Sequence, residues 1–221
     1  MSDATTVSQP EIVLDKEGNE HIVVDFNNDY DGAKLGFWVF LLTEIMIFGS
    51  MFLVYGFYMF QHSADFVHAS EEMNRLLGGI NTFILLISAL TMGLSLVHLR
   101  NGHVSTCKKY IWATMILAVV FLAIKATEWS LEIHHGFYPS SPSLDAMSNG
   151  TKLFFGLYFT LTGLHGIHII VGIIVMLVLL RLINKGKITP ENYVFLENTA
   201  LYWDFVHIVW VIVFPLFYLI Y

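Results

Sequence analysis

Five apolar runs dominate the sequence, and each is long enough to cross a membrane as a helix. They fall at about Leu35–Phe60, Leu77–Leu99, Tyr110–Ile133, Leu153–Ile183 and Ala200–Tyr221. Crossing about 30 Å of hydrocarbon takes roughly 20 helical residues. A backbone in hydrocarbon must satisfy its own hydrogen bonds, which leaves helices or a closed barrel. The runs lack the period-two alternation of barrel strands. The connecting stretches, Gln61–Asn74, Arg100–Lys109, His134–Asn149 and Asn184–Glu197, are short and polar or turn-rich. The third contains Pro139, Ser140, Ser141 and Pro142, strong loop punctuation. The fold class read from this pattern is all-α, an integral membrane bundle of five transmembrane helices.

Composition excludes the main alternatives. Only 13% of residues are charged, against about 25% in soluble domains. An ordinary soluble enzyme, a disordered chain and a coiled coil are all ruled out. The single cysteine, Cys107, cannot form an internal disulfide, a four-cysteine zinc site or an iron–sulfur centre. Residues 1–33 hold eight acids and one base, which accounts for the whole net charge of −7. Residues 1–33 thus read as an acidic N-terminal tail, and residues 34–221 as the membrane domain. Clustered Lys and Arg of the kind that binds nucleic acid are missing. The tail is acidic, and the first apolar run starts near residue 35, so a cleavable signal peptide is not expected. Its short apolar stretches, Ile12–Leu14 and Ile22–Val24, read as tethered coil, with packing on a partner as the alternative.

Loop charges orient the bundle. Lys16, Lys34, Arg100, Lys108, Lys109, Arg181, Lys185 and Lys187 fall on the side of the tail, and only Arg75 and Lys152 on the other. A cytoplasmic N-terminus and a C-terminus outside are therefore expected, with Cys107 on the cytoplasmic side. Trp129, Tyr138, Tyr202, Trp203, Tyr218 and Tyr221 lie near span ends and are expected to form interfacial belts.

Ionisable residues inside spans cost about 2.5–3.5 kcal/mol each on insertion scales, so they are the functional candidates. Glu44 lies about fifteen ångströms into the first span. It reads as a proton- or lipid-linked carboxyl, or as a protonated acid bonded to a neighbouring helix. Lys125 and Glu128 share a face of the third span and can pair, while Glu132 is expected near solvent at its outer end. In the fourth span His165 and His168 are three apart. They could contribute to a metal site with further ligands, or be hydrogen-bonded interior histidines. Gly156, Gly163, Gly166 and Gly172 offer small surfaces there for close backbone approach. Asp204 and His207 share a face of the fifth span, are expected to form a charge-assisted pair, and could lie at the depth of Glu44. No haem-attachment motif, paired-cysteine copper site or nucleotide-binding glycine loop occurs. No catalytic, metal or cofactor-binding residue is therefore assigned in this chain.

Five segments carry a resemblance. They are Gly36-Phe-Trp-Val-Phe-Leu-Leu-Thr-Glu44, Asn81-Thr-Phe-Ile-Leu-Leu-Ile-Ser-Ala-Leu-Thr-Met-Gly93, Phe121-Leu-Ala-Ile-Lys125-Ala-Thr-Glu128-Trp129, Tyr158-Phe-Thr-Leu-Thr-Gly-Leu-His165-Gly-Ile-His168 and Tyr202-Trp203. In this order, each on its own span, they resemble subunit III of haem–copper respiratory oxidases in its short five-helix form, from about Gly36 to Tyr221. The resemblance implies an accessory subunit packed on catalytic subunit I, holding phospholipid and sustaining proton uptake. Haem and copper would then sit in partner subunits, and Glu44 would match the family's buried, carbodiimide-reactive carboxyl. Longer relatives carry two further N-terminal helices. Many relatives read Tyr-Trp-His-Phe-Val-Asp in the last helix, so Asp204 and His207 exchange the usual order.

The expected function is thus a non-redox subunit of a bacterial inner-membrane cytochrome c or quinol oxidase, reducing oxygen with proton pumping. The subunit-III-like protein of nitric oxide reductases is the nearest alternative. A membrane cytochrome b with haem between His98 and His207 is a remote one, as is a small transporter, although no internal repeat or broken helix pair is seen.

Overall fold

The computed structural model describes residues 11–14, 20–23, 30–139 and 141–220. Five long helices form the bundle: α1 (Tyr30–Gln61), α3 (Arg75–Arg100), α4 (Val104–His135), α6 (Asn149–Asn184) and α7 (Val194–Tyr218). The shortest has 25 residues, about 38 Å at 1.5 Å per residue. All five are long and apolar enough to span a membrane. Their outer surfaces carry side chains such as Leu53, 77% exposed, and Phe60, 89% exposed, a surface suited to lipid or to other membrane helices. The protein is a multi-pass membrane protein.

The helices run past the apolar spans because their caps lie in the polar gaps. The Asn74 side chain accepts from the Leu77 N–H at 3.1 Å, and the Ser148 side chain from that of Thr151 at 3.3 Å, each satisfying a free donor of a first turn. Helices α3, α4 and α6 all stop at a glycine with positive φ: Gly102, Gly136 and Gly186. After each, the next N–H reaches back to a carbonyl five residues earlier, as Phe137 does to Glu132 at 2.9 Å. This closure needs a left-handed residue, which glycine adopts without strain.

Two gaps read as loops contain helix. Helix α2 (Ser63–Glu71) fills most of the first, and the single turn α5 (Pro142–Asp145) lies in the third. Phe66, Ala69 and Ser70 of α2 are buried. Their i, i+3, i+4 spacing presents one packing face, and the Ser70 hydroxyl donates to the Ile220 carbonyl at 2.5 Å. In the tail, β1 (Glu11–Leu14) and β2 (Glu20–Val23) pair antiparallel, with Ile12 opposite Ile22. This corrects the coil reading of those stretches, with Val24 outside the described residues. β-branched residues favour strands.

Helix α7 is the centre of the bundle and α1 its rim. Of the most apolar stretch of α7, 56% is buried within the chain, against 17% for α1. Helix α7 packs on α3, α6 and α1; α3 pairs with α4; and α1 touches α6, α7 and α2 only. Trp203 and Trp210 are fully buried on α7, and their ring N–H groups donate to Ser88 and Thr82 of α3, each at 3.0 Å. Tyr202, Trp203 and Tyr218 are thus core residues, not interfacial ones, because α7 is enclosed on three sides. Tyr138 is exposed, Trp129 is half-buried and Tyr221 lies outside the described residues.

Candidate functional site

Glu44 on α1 meets His168 on α6. The Glu44 Oε2 lies 2.8 Å from the imidazole Nε2, with both side chains about one-eighth exposed. The other ring nitrogen, Nδ1, is 2.8 Å from the Leu164 carbonyl, which can only accept. Nδ1 therefore carries a hydrogen, and the Nε2–Glu44 contact shares one proton. With that proton on either atom the pair is neutral, either as acid and imidazole or as carboxylate and imidazolium. Phe48 packs edge-on to the His168 ring at 5.0 Å, and the Tyr202 hydroxyl donates to the His168 carbonyl at 3.0 Å. The pair thus joins α1, α6 and α7 around an acid that would be costly alone.

Lys125 and Glu128 of α4 form a second, sealed site. Both are buried, with Nζ and Oε2 3.3 Å apart. The ammonium donates to the Tyr158 hydroxyl of α6 at 2.9 Å and to the Tyr218 hydroxyl of α7 at 2.6 Å. Both hydroxyls donate onward to Glu128 Oε1, Tyr158 at 2.7 Å. The Lys125 ammonium also lies 4.5–5.3 Å from the ring centres of Tyr158, Trp210 and Tyr218, near enough for cation–π attraction. These contacts offset part of what desolvating two charges costs. Tyr158 and Tyr218 were not singled out as polar-site residues from sequence, because a tyrosine in a span reads as an aromatic. Glu132, one turn beyond Glu128, is only 4% exposed. Its expected solvation fails because α4 continues to His135 and carries the residue inside the bundle.

The histidines separate. His165 is buried without a hydrogen-bond partner, edge-on to Phe121 at 5.7 Å and tilted over Trp210 at 5.1 Å. Among the described residues neither ring nitrogen of His165 meets a polar group, whereas both of His168 do. Among the described residues, no group of three His, Cys, Asp or Glu could hold a metal ion. His207 is buried and its Nδ1 bonds the Trp203 carbonyl at 2.5 Å. Asp204 points the other way and is exposed. The expected Asp204–His207 pair is not formed. Three residues on a helix leave about 60° between side chains, and here the edge of α7 falls between them. The depth shared with Glu44 yields no contact either, since Glu44 chooses α6. His98 stacks flat on Tyr110 at 5.1 Å near the end of α3, and no contact joins it to His207 among the described residues. The two are not arranged as a haem pair.

Of the α6 glycines, Gly172 and Gly163 receive side chains, not backbone. A Cβ on Gly172 would lie 2.5 Å from the Trp203 ring, and one on Gly163 3.3 Å from Trp129. Gly156 and Gly166 face open space. Cys107 is free and buried.

Sequence reading missed a clasp at the end of the bundle where α1 and α7 begin. Glu197 of α7 accepts from the Tyr30 hydroxyl at 2.8 Å and pairs with Lys34 of α1 at 3.0 Å and Arg100 of α3 at 3.1 Å. The loop-charge count assigned these bases to one side, but nothing in it pairs them across three helices.

Five membrane-length helices whose buried ionisable groups pair between helices define a multi-pass membrane bundle. The sequence matches the family described as cytochrome c oxidase subunit III over residues 17–221, and the chain belongs to that family. It is 30% identical over 203 residues to the cytochrome bo(3) ubiquinol oxidase subunit 3 of Pseudomonas aeruginosa, covering 91% of this chain and 90% of that one. Identity to quinol oxidase subunit 3 of Bacillus subtilis is 29%, covering 92% and 95%. Identity to cytochrome c oxidase subunit 3 of Thermostichus vulcanus is 27%, covering 90% and 93%. The chain is a haem–copper oxidase subunit III, and the nitric oxide reductase alternative is not favoured.

Proposed function

We propose that this subunit works in a bacterial inner membrane, N-terminus in the cytoplasm, as the non-redox support of catalytic subunit I in a quinol or cytochrome c oxidase. The partner subunits carry haem and copper, reduce oxygen and pump protons. This subunit stabilises subunit I, holds phospholipid and sustains proton uptake. The observation that carries the reading is the use made of the buried polar groups. Lys125 and Glu128 neutralise each other and are bridged by the Tyr158 and Tyr218 hydroxyls, and Glu44 and His168 share a proton between helices. These groups hold helices together. The lipid role is supported by an apolar cavity of about 310 Å³ between α1, α6 and α7, lined by Phe37, Phe40, Val171, Val175, Phe195 and Tyr202 among others. Acyl chains suit such a lining, and Tyr202 connects it to the His168 backbone and so to Glu44.

The test is to tag the C-terminus, purify gently from native membranes and record a reduced-minus-oxidised visible spectrum. Haem bands at stoichiometric level, with phospholipid in the eluate, are expected. A colourless eluate containing intact protein would overturn the proposal.

A further inference from the structure

Two acids lie on one face of α7, seven residues apart, and only one has a partner. Glu197 is held by Lys34 of α1 and Arg100 of α3. Asp204, two turns on, makes no hydrogen bond or ion pair with any described residue and is exposed. The same stripe continues through Ile208, Val211, Pro215 and Leu219, all exposed and apolar. Its positions recur at i, i+4, i+7 and i+11, which is one helix face.

The flanks of this stripe are fixed by contacts. On one side Phe205 meets Phe48 of α1 at 6.1 Å, and Tyr55 of α1 donates to the Leu216 carbonyl. On the other, Trp203 and Trp210 bond α3. Helices α1 and α3 do not pack on each other. The stripe is therefore the floor of a groove, closed at one end by the Glu197 clasp and open along Asp204. Gly49 and Gly56 lie on the face of α1 that carries Lys34, and Gly79 and Gly93 on the face of α3 that carries Arg100, by helical spacing. A Cβ at any of the four would meet nothing. Both walls are thus notched where a helix could approach closely.

The geometry points to this groove as the docking site for a transmembrane helix of a neighbouring subunit that presents an Arg or Lys to Asp204. The inference rests on the proposed reading of the chain as an oxidase subunit. An acyl chain would fill an apolar groove but offers no donor to a carboxylate in hydrocarbon. A basic side chain does, and pairing is how ionisable groups within membranes are accommodated. Glu197 shows the same solution on the same face, with α1 and α3 supplying the bases.

Two measurements test it in the full complex. Asp204→Arg is expected to accumulate in membranes, since Asp204 makes no hydrogen bond or ion pair with any described residue, and to lower co-purified haem per chain on the order of tenfold. Asp204→Asn, which keeps shape but not charge, should lower it several-fold. Unchanged haem per chain in Asp204→Arg would overturn the proposal. Should that variant fail to accumulate, Ile208→Cys in the otherwise native chain, labelled with benzophenone maleimide and irradiated in membranes, decides. An adduct on a membrane helix of another protein, with Arg or Lys within a turn of the attachment, is expected. Adducts only to lipid or to a second copy of this chain, or to a helix without a base there, would overturn it. Haem-free wild-type protein would sink the oxidase reading, while the Ile208 adduct would still report on the groove.

Discussion

The Lys125–Glu128 knot and the Glu44–His168 pair solve one problem, a charge inside a membrane, in two ways. The first is enclosed by α4, α6 and α7, with both ions and both tyrosine hydroxyls bonded to one another. The second sits where the rim helix α1 meets α6, partly exposed, and its two groups share one proton. A buried ion pair loses much when one member goes, because the survivor is left uncompensated. A proton-sharing pair at an edge can replace its partner with another neutral donor. The difference teaches that the knot ties the central helices to one another, while the edge pair ties the rim helix to them and stays partly exposed.

The largest expected effect comes from splitting the knot. Lys125→Met or Glu128→Leu alone should cost about 3–5 kcal/mol, read as loss of chain in membranes or as early unfolding in a denaturant titration. The double replacement should recover much of that loss. Equal, small effects of all three would place the knot in the same class as the edge pair.

Next is the exchange of Asp204 and His207 to the order commoner in the family. His207 is buried against the Trp203 carbonyl and Asp204 is exposed, so the two positions are not equivalent. A carboxyl at 207 would face an acceptor, an unsatisfied polar contact worth about 1–3 kcal/mol. Reduced yield of intact complex is expected from both halves of the exchange, with His207→Asp alone lowering accumulation of the chain itself and Asp204→His alone lowering only the haem that co-purifies with it. Normal yield would show that α7 can rotate to re-present both residues.

Smaller effects distinguish packing at the α6–α7 contact from the rim. Gly172→Ala, which drives a methyl into Trp203, should cost about 1–3 kcal/mol as overpacking. Gly166→Ala, facing open space, should be neutral or slightly stabilising through helix propensity. Thermal unfolding of the two variants in detergent checks the contrast.

The smallest is Glu44→Gln. The amide can donate to His168 Nε2 in place of the shared proton, so assembly should stay intact. Oxidase activity should fall only mildly or decay sooner during turnover, checked by following oxygen consumption over time. Complete loss of turnover would move Glu44 from support to necessity.

The spans and the fold class were legible because they rest on the length of continuous apolar runs, and the pairing of Lys125 with Glu128 because it rests on spacing within one helix. The same logic misled at Asp204 and His207. Residues three apart share a broad face, but whether they meet depends on where a neighbouring helix cuts that face. Glu132 was placed near solvent by counting from the end of an apolar run, while the helix itself runs on to His135. The tail stretches read as coil form strands of only four residues each, too short for alternation to reveal their pairing.

By itself the sequence determined that five helices cross a membrane, and which few ionisable residues must be accommodated there. Hydrocarbon penalises every unpaired polar group, so both facts are written in composition and spacing. Only the tertiary structure decided the partners: His168 for Glu44, two tyrosines for Lys125 and Glu128, Lys34 and Arg100 for Glu197, and none among the described residues for Asp204. Helical periodicity fixes the direction in which a side chain leaves its own axis. Which group it meets is set by the crossing of helices far apart in sequence.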